Sequence, residues 1–263
     1  MGKKEDENIL LRSDVDGIAT LSLNRPHARN ALSRDLMSAL QTELDQISTD
    51  DNVRVVVIAA VGPAFCAGHD LRELRVSPRR ATYEALFAQC SKLMLSITRI
   101  PQPVIAKVQA TATAAGCQLV ATCDLAIAAD TAKFATPGVN IGLFCSTPMV
   151  AVSRNIGRKR MMEMLLTGEM IDSEMAESAG LINSRCPAEE LTDVVDRLCK
   201  KISSKSALTL RIGKEAFHRQ LDMPLEDAYA YTSEAMVINM MANDAEEGID
   251  AFLEKRSPVW LGK

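Results

Sequence analysis

The chain reads as an α/β protein: a mostly parallel sheet wound with helices, followed by a purely helical C-terminal region. Three observations predict this. Val53–Ala60 is an apolar run rich in β-branched residues, interrupted only by Arg54, as expected of a strand buried on both faces. Strand-like and helix-like segments alternate through Ala128, which requires crossover connections and hence parallel pairing. From about Pro187 onward only helical periodicity remains.

Taken in order, Ile9–Leu11 and Ile18–Leu23 predict two strands hinged at Asp16-Gly17, and Pro26 ends the second. Ser33 is an N-cap for a helix through about Ile47, with Leu36, Leu40, Leu44 and Ile47 on one face. Val53–Ala60 follows as a strand, Arg80–Thr98 as a helix and Val104–Val108 as a strand. A short helix after Ala114-Ala115-Gly116 runs to about Thr122, then a strand spans Leu125–Ala128. Glu189–Ser203, Ala207–Leu221, Leu225–Met241 and Ala242–Arg256 complete the chain as helices. In the third of these, Ala228, Tyr231, Ala235 and Met236 recur at helical spacing, a core or subunit-contact face. The expected division is an α/β core over residues 1–187 and a helical region over 188–263.

Composition narrows the function. With 263 residues, 47% hydrophobic and 24% charged, the chain can bury a full core. A net charge of −4 argues against a nucleic-acid partner or an anionic membrane surface. No window approaches the roughly 18 uninterrupted apolar residues of a membrane span. Met1–Asn8 lacks an apolar signal core, is too acidic for a transit peptide, and has no Ser or Thr where myristoylation requires one. The expected compartment is the cytoplasm, with a mitochondrial matrix protein trimmed after import as the alternative. Seven cysteines, an odd number without a C-x-x-C pair, read as reduced core thiols. His27, His69 and His218 are too scattered for a metal cluster, so no metal is expected.

Two segments carry the chemistry. Pro63-Ala64-Phe65-Cys66-Ala67-Gly68-His69-Asp70-Leu71-Arg72 and Ala114-Ala115-Gly116-Cys117-Gln118 each follow an apolar strand-like run and precede a helix-like one. That placement aims backbone N–H groups into a crevice at the strand ends, where two of them could bind an oxygen that becomes negative during a reaction. The pair resembles the oxyanion-hole motifs of the enoyl-CoA hydratase/isomerase (crotonase) superfamily, and the resemblance extends over nearly the whole chain. It implies a crotonase (ClpP/crotonase-like) fold, a spiral of βαβ units whose C-terminal helices cover the site and build a homotrimer or a homohexamer made of two trimers. It also implies an acyl-CoA thioester as substrate, with coenzyme A arriving as part of it and no tightly bound cofactor.

Carried over residue by residue, the resemblance makes the His69 and Ala115 N–H groups the donors to the thioester oxygen. Ala115 replaces a commoner glycine but still supplies its N–H. Asn24-Arg25-Pro26-His27-Ala28-Arg29-Asn30-Ala31-Leu32 resembles the N-R-P-x-x-x-N-A-L signature, whose loop contacts the nucleotide end of CoA. Ala28 and Arg29 then line the entrance, and Arg29 and Arg72 are placed to meet phosphates. Ala67, Gly68, Asp70, Leu71, Gly116, Pro137 and Cys145 complete the implied lining, with Asp70 read as the cap of the next helix. Phe252 and Lys255 match residues that close the pocket, often from a neighbouring subunit.

Hydration of an enoyl thioester needs an acid–base pair, supplied in hydratases by two glutamates. The first follows G-G-G-C in the family, and here that position is Gln118. The second follows the proline of F-x-x-P-E, and here Phe134-Ala135-Thr136-Pro137 leads to Gly138. Cys123-Asp124 and Gly142 anchor the correspondence. In other relatives an aspartate stands at the position of Cys145 or Ser146, and neither acid is present. Cys145 reads as a structural thiol, or as a nucleophile if its pKa were depressed. One branch of the family shares the Ala112–Gln118 and Phe134–Pro148 segments and lacks the same glutamates. The expectation is an acyl-CoA-processing protein of fatty-acid metabolism with weak or absent hydratase turnover. Its rivals are a non-catalytic acyl-CoA binder or regulator, and an enzyme of another thioester reaction such as hydrolysis, retro-Claisen cleavage or decarboxylation. A carboxylate arriving from another loop, such as Glu73, Glu84 or Glu169, would restore a hydratase-like mechanism.

Overall fold

The structure, a computed structural model, describes residues 8–262. Met1–Glu7, most of the run read above for targeting signals, lies outside the described residues. Strands β1 (Leu10–Val15) and β2 (Ile18–Leu23) form an antiparallel hairpin, paired from Leu10↔Leu23 to Val15↔Ile18. Asp16 and Gly17 at its tip both take positive φ, 51° and 76°, the geometry of a tight two-residue hairpin turn. Helix α1 (Arg34–Ile47) starts at Ser33, whose hydroxyl accepts from the Leu36 N–H at 3.1 Å. It buries Leu36, Leu40, Leu44 and Ile47, the face its spacing predicts.

Three strand pairs follow. β3 (Val55–Ala60) continues into β4 (Ala64–Cys66), and the chain returns through α2 (Leu71–Val76) and α3 (Arg80–Arg99). β5 (Val104–Val108) continues into β6 (Thr111–Thr113), and α4 (Ala115–Thr122) returns to β7 (Leu125–Ala129), which continues into β8 (Lys133–Ala135). A 3-10 turn over Pro137–Ile141, α5 (Pro148–Val152), α6 (Arg158–Thr167), β9 (Ile171–Asp172), α7 (Ser173–Ala179) and β10 (Ser184–Cys186) complete the α/β part. Helices α8 (Leu191–Ser203), α9 (Ala207–Gln220), α10 (Leu225–Met240) and α11 (Asn243–Glu254) close the chain.

Each winding thus lays one strand in each of two sheets. The larger has the order β1-β2-β3-β5-β7-β10 and is parallel beyond the first hairpin. The smaller has the order β4-β6-β8-β9, parallel until β9. This is the spiral the sequence resemblance implies, and the ends of β4, β6 and β8 lie side by side. The periodicity does not predict this second sheet, because strands of two or three residues show no alternation.

Burial explains the β-branched run. Val56 and Ile58 face the main core with Leu36, Leu40, Leu93 and Ile97. Val55, Val57 and Ala59 face a second core with Ile105, Ile127 and the α8 residues Leu191, Val195 and Cys199. The first helix after the last strand is therefore a layer of the sheet's own core. α9 is pinned by Lys214, whose buried ammonium donates to Asp124 Oδ2 at 2.6 Å, Ile97 O at 2.9 Å and Gln102 O at 2.8 Å. All seven cysteines are free, six of them buried. Among the described residues no group of His, Cys, Asp and Glu could hold a metal, and no helix is long and apolar enough to cross a membrane.

Candidate functional site

The two turns singled out in the sequence meet. After β4 the chain passes Gly68, whose φ of +94° favours glycine. A methyl built there would stand 2.9 Å from Ala114 Cβ and 3.3 Å from the Ala115 nitrogen. Gly116 approaches the preceding strand still more closely: a methyl on it would lie 2.1 Å from the Cys66 carbonyl oxygen. Glycine at both positions lets the start of α4 press against the end of β4. Ala114, which also donates its N–H to Ala135 O of β8 at 2.9 Å, has φ 50° and ψ −118°. An alanine pays strain for that conformation, a cost that characteristically gathers at functional sites.

The backbone hydrogen bonds leave the corner with unused donors. Leu32 N–H donates to Gly68 O, Asp70 N–H to Leu32 O, Ala114 N–H to Ala135 O and Gln118 N–H to Ala114 O. Neither the His69 N–H nor the Ala115 N–H donates to any acceptor among the described residues. Such paired donors at a helix start can hold an oxygen that carries negative charge.

The loop of Ala28 and Arg29 is tied to this corner. The Ala67 N–H donates to Arg29 O at 3.0 Å, and Arg29 and Asn30 both take positive φ. Sequence reasoning assigned no role to Arg25 or Asn30, which turn out to pin the loop. The Arg25 guanidinium pairs with Asp70 Oδ2 at 2.9 Å and donates to Ala31 O at 2.6 Å. Asn30 is fully buried, accepting from Arg25 N–H and donating to Val61 O and Ala64 O. Asp70 caps α2 by accepting from the Arg72 N–H at 3.1 Å. Burial alone would raise its carboxyl, but Arg25 and the Arg72 N–H outweigh that and hold it below the usual range. Leu71 and Arg72 lie exposed on the first turn of α2.

Gln118 is buried on the first turn of α4, and its Oε1 has no partner. Gly138 is buried in the 3-10 turn that Pro137 begins. A methyl on Gly138 would stand 2.7 Å from Leu143 O and 2.9 Å from Cys145 Sγ, so the following loop fills the space a side chain would need. That loop is closed by Leu143 N–H to Gly138 O at 2.9 Å and Gly138 N–H to Cys145 Sγ at 3.4 Å. Burial raises the Cys145 pKa, so near neutral pH the group is a thiol rather than a nucleophilic thiolate. Glu73 accepts from the Arg34 N–H at the start of α1, Glu84 pairs with Arg80 at 2.7 Å, and Glu169 is exposed. Asp244, near the C-terminus, is the one buried carboxylate among the described residues. α11 packs on α9 and α10, with Phe252 exposed near its end and Lys255 as its C-cap. No hydrogen bond or ring contact links either residue to the strand-end corner among the described residues.

A spiral that feeds paired strands into two sheets, with site residues at the ends of the smaller one, is a crotonase-type fold. The solved structure of an enoyl-CoA hydratase from Mycobacterium smegmatis superposes with a TM-score of 0.95 at 50% identity, covering 97% of this chain and 99% of that one. Human enoyl Coenzyme A hydratase domain-containing protein 3 superposes at 0.93 with 45% identity, over 96% of this chain and 100% of that one. The rat enoyl-CoA hydratase domain-containing protein 3, mitochondrial, is 43% identical over 98% of this chain and 86% of its own length. The family described as Enoyl-CoA hydratase/isomerase matches residues 14–263, and the chain belongs to that family.

Proposed function

We propose that this chain binds an acyl-CoA thioester at the β4–β6 corner, with the thioester oxygen accepting from the His69 and Ala115 N–H groups. The carrying observation is the contact of Gly68 with Ala114 and Ala115, which brings two otherwise uncommitted donors together. As an enolate forms, each such donor in a dry site is worth about 3–4 kcal/mol to the transition state. Ala28, Arg29 and Arg72 are assigned to the CoA entrance. Phe252 and Lys255 serve a second copy's pocket, a role favoured by the exposure of Phe252.

Gln118 and Gly138 occupy the positions of the family's two glutamates in this reading, so hydratase turnover is weak or absent. A non-catalytic acyl-CoA binder is the second reading, favoured by the lack of a buried carboxylate at the corner among the described residues. Isothermal titration with acetoacetyl-CoA tests the shared claim, and no heat or competition at millimolar ligand defeats it. Crotonyl-CoA hydration at a rate typical of a two-glutamate enzyme defeats the assignment of Gln118 and Gly138.

We assign the assembly as a trimer or hexamer. Leu225, Met236, Val237, Ile238 and Met241 on and just after α10 are all at least half exposed, more apolar surface than a lone chain usually shows to water. The mitochondrial names of the rat and human relatives favour the mitochondrial alternative over the cytoplasm.

A further inference from the structure

The two apolar cores end well before the chain does. Their members run from Ile9 to Ile202, and no residue of α9, α10 or α11 belongs to either among the described residues. From Ser204 to Gly262 only Ser206, Ala228, Asp244 and Ala251 are buried. α8 is thus part of the α/β body, and the segment from Ser204 onward is an arm laid over it. The arm is tied to itself at both ends. Asp244, at the start of α11, accepts from the Ser206 hydroxyl at 2.5 Å and from the Leu261 and Gly262 N–H groups at 2.7 and 3.1 Å. Glu247 accepts from the Val259 N–H at 2.7 Å and pairs with Arg256. The Trp260 indole donates to Ser204 O at 2.8 Å. Beyond the 204–206 connection, where Arg54 donates to Lys205 O, the arm's polar links to the body converge on one carboxylate. Asp124 Oδ2 accepts from Lys214 at 2.6 Å and from the Val104 N–H at 2.7 Å, and Oδ1 faces His218 Nε2 at 3.2 Å. The same ammonium reaches Ile97 O and Gln102 O. The remaining link among the described residues is an exposed pair, Arg154 with Asp222, 3.9 Å apart.

We propose that residues 204–262 are a conformational arm that undocks and unfolds as one unit while the α/β body stays folded, with Lys214 on Asp124 as its latch. A segment with so few buried apolar side chains lies at the low end of a protein's spread of local stabilities. Helices of 14, 16 and 12 residues that bury only Ala228 and Ala251 do not persist alone in water. Leaving the body and losing the helices are therefore one event. Lys214 is the latch because its departure strands a carboxylate, and removing one partner of a buried pair is strongly destabilising. The unit begins after α8 and not at Pro187, since Leu191, Val195 and Cys199 are built into the sheet's own core. His69 and Ala115 lie wholly in the body, so the arm can open without dismantling the strand-end corner. The inference is independent of which ligand that corner binds.

Hydrogen exchange read by mass spectrometry on the full chain, in guanidinium below the main unfolding transition, tests this element by element. Corrected for intrinsic rates, peptides from α9, α10 and α11 should share one rate, at least about 10-fold faster than peptides from α1 and β3. Lys214→Met should speed the arm by about 10-fold more and leave α1 and β3 within about twofold. Equal rates in arm and body of the wild-type protein overturn the inference, as do three helices with three unrelated rates. A Lys214→Met effect that is shared by the whole chain, or missing from the arm, overturns it too. Should that variant fail to fold, the wild-type rates still decide.

Discussion

Adding one methyl group tests whether Gly138, proposed above to hold the second glutamate position, borders free or structurally closed space. In Gly138→Ala the new carbon would stand 2.7 Å from Leu143 O and 2.9 Å from Cys145 Sγ. An ordinary carbon contact is about 3.5 Å, so the 143–145 segment must retreat by roughly 0.6–0.8 Å. That retreat strains two hydrogen bonds, Leu143 N–H to Gly138 O and Gly138 N–H to Cys145 Sγ. Overpacking of this kind costs about 1–3 kcal/mol, and at this chain length each kcal/mol lowers Tm by about 2–4 °C. Calorimetry should therefore find Gly138→Ala melting roughly 2–12 °C below wild type. It also follows that Gln118→Glu with Gly138→Glu does not recover crotonyl-CoA hydration, because a glutamate side chain meets the same carbonyl. An unchanged melting point would refute this. The loop would then yield freely, and the double variant should gain about 100-fold in hydration from its restored acid–base pair.

Ala114→Gly should stabilise the protein by about 1 kcal/mol, because relief of about 1–3 kcal/mol of strain exceeds the entropy glycine adds to the unfolded chain. Thermal melting checks this, and a lower Tm contradicts it. Asp70→Asn should cost about 1.5–3 kcal/mol near pH 7, since it removes a carboxylate hydrogen-bonded to Arg25 and the Arg72 N–H. The folded Asp70 carboxyl titrates below its ordinary 3.8, so its contribution is complete above about pH 4 and is lost as pH falls through the lower folded value. Denaturant titrations should show a constant gap between variant and wild type from pH 5 to 8 and a closing gap below pH 4. Sedimentation equilibrium at micromolar concentration should give three or six times 28.6 kDa, and a clean monomer removes the proposed assembly.

How much was legible depended on the length of each signal. The 14 residues of α1 span nearly four turns, so their apolar stripe and Ser33 cap could be read directly. β3 could be read because both its faces are covered, one by α1 and α3, the other by α8. β4, β6 and β8 have three residues each, and their partners lie dozens of positions away. Spacing alone could place neither them nor the contact between their ends. Only the resemblance brought the two turns together in advance. The same resemblance gave the N-R-P loop to CoA, whereas the structure shows Arg25 and Asn30 occupied in fixing that loop to Asp70 and the β3–β4 turn. The resemblance offered Gln118 and Gly138 as the positions of two glutamates, but it could not show the closure of the Gly138 space. The closure is made by a backbone carbonyl five residues later, which no side-chain pattern encodes.

That closure bears on what kind of change separates this corner from one holding two carboxylates. Under the proposed assignment of Gly138 to the second glutamate position, simple removal of that side chain would leave open space of about its size. Instead Leu143 O and Cys145 Sγ press into the position, and Cys145 accepts from the Gly138 N–H. Gln118 shows the opposite situation, a buried side chain retained with an acceptor that has no partner. The space beside Gly138 is filled by the following loop, whereas Gln118 is a buried polar side chain. The two uncommitted N–H groups proposed to hold an oxygen stand beside the contact of Gly68 with Ala114, where Ala114 is strained. A protein under no demand at this corner has no reason to sustain a strained alanine and the unpaired buried polar atoms of His69, Gln118 and Thr136. Their presence supports the proposed binding of a ligand at this corner.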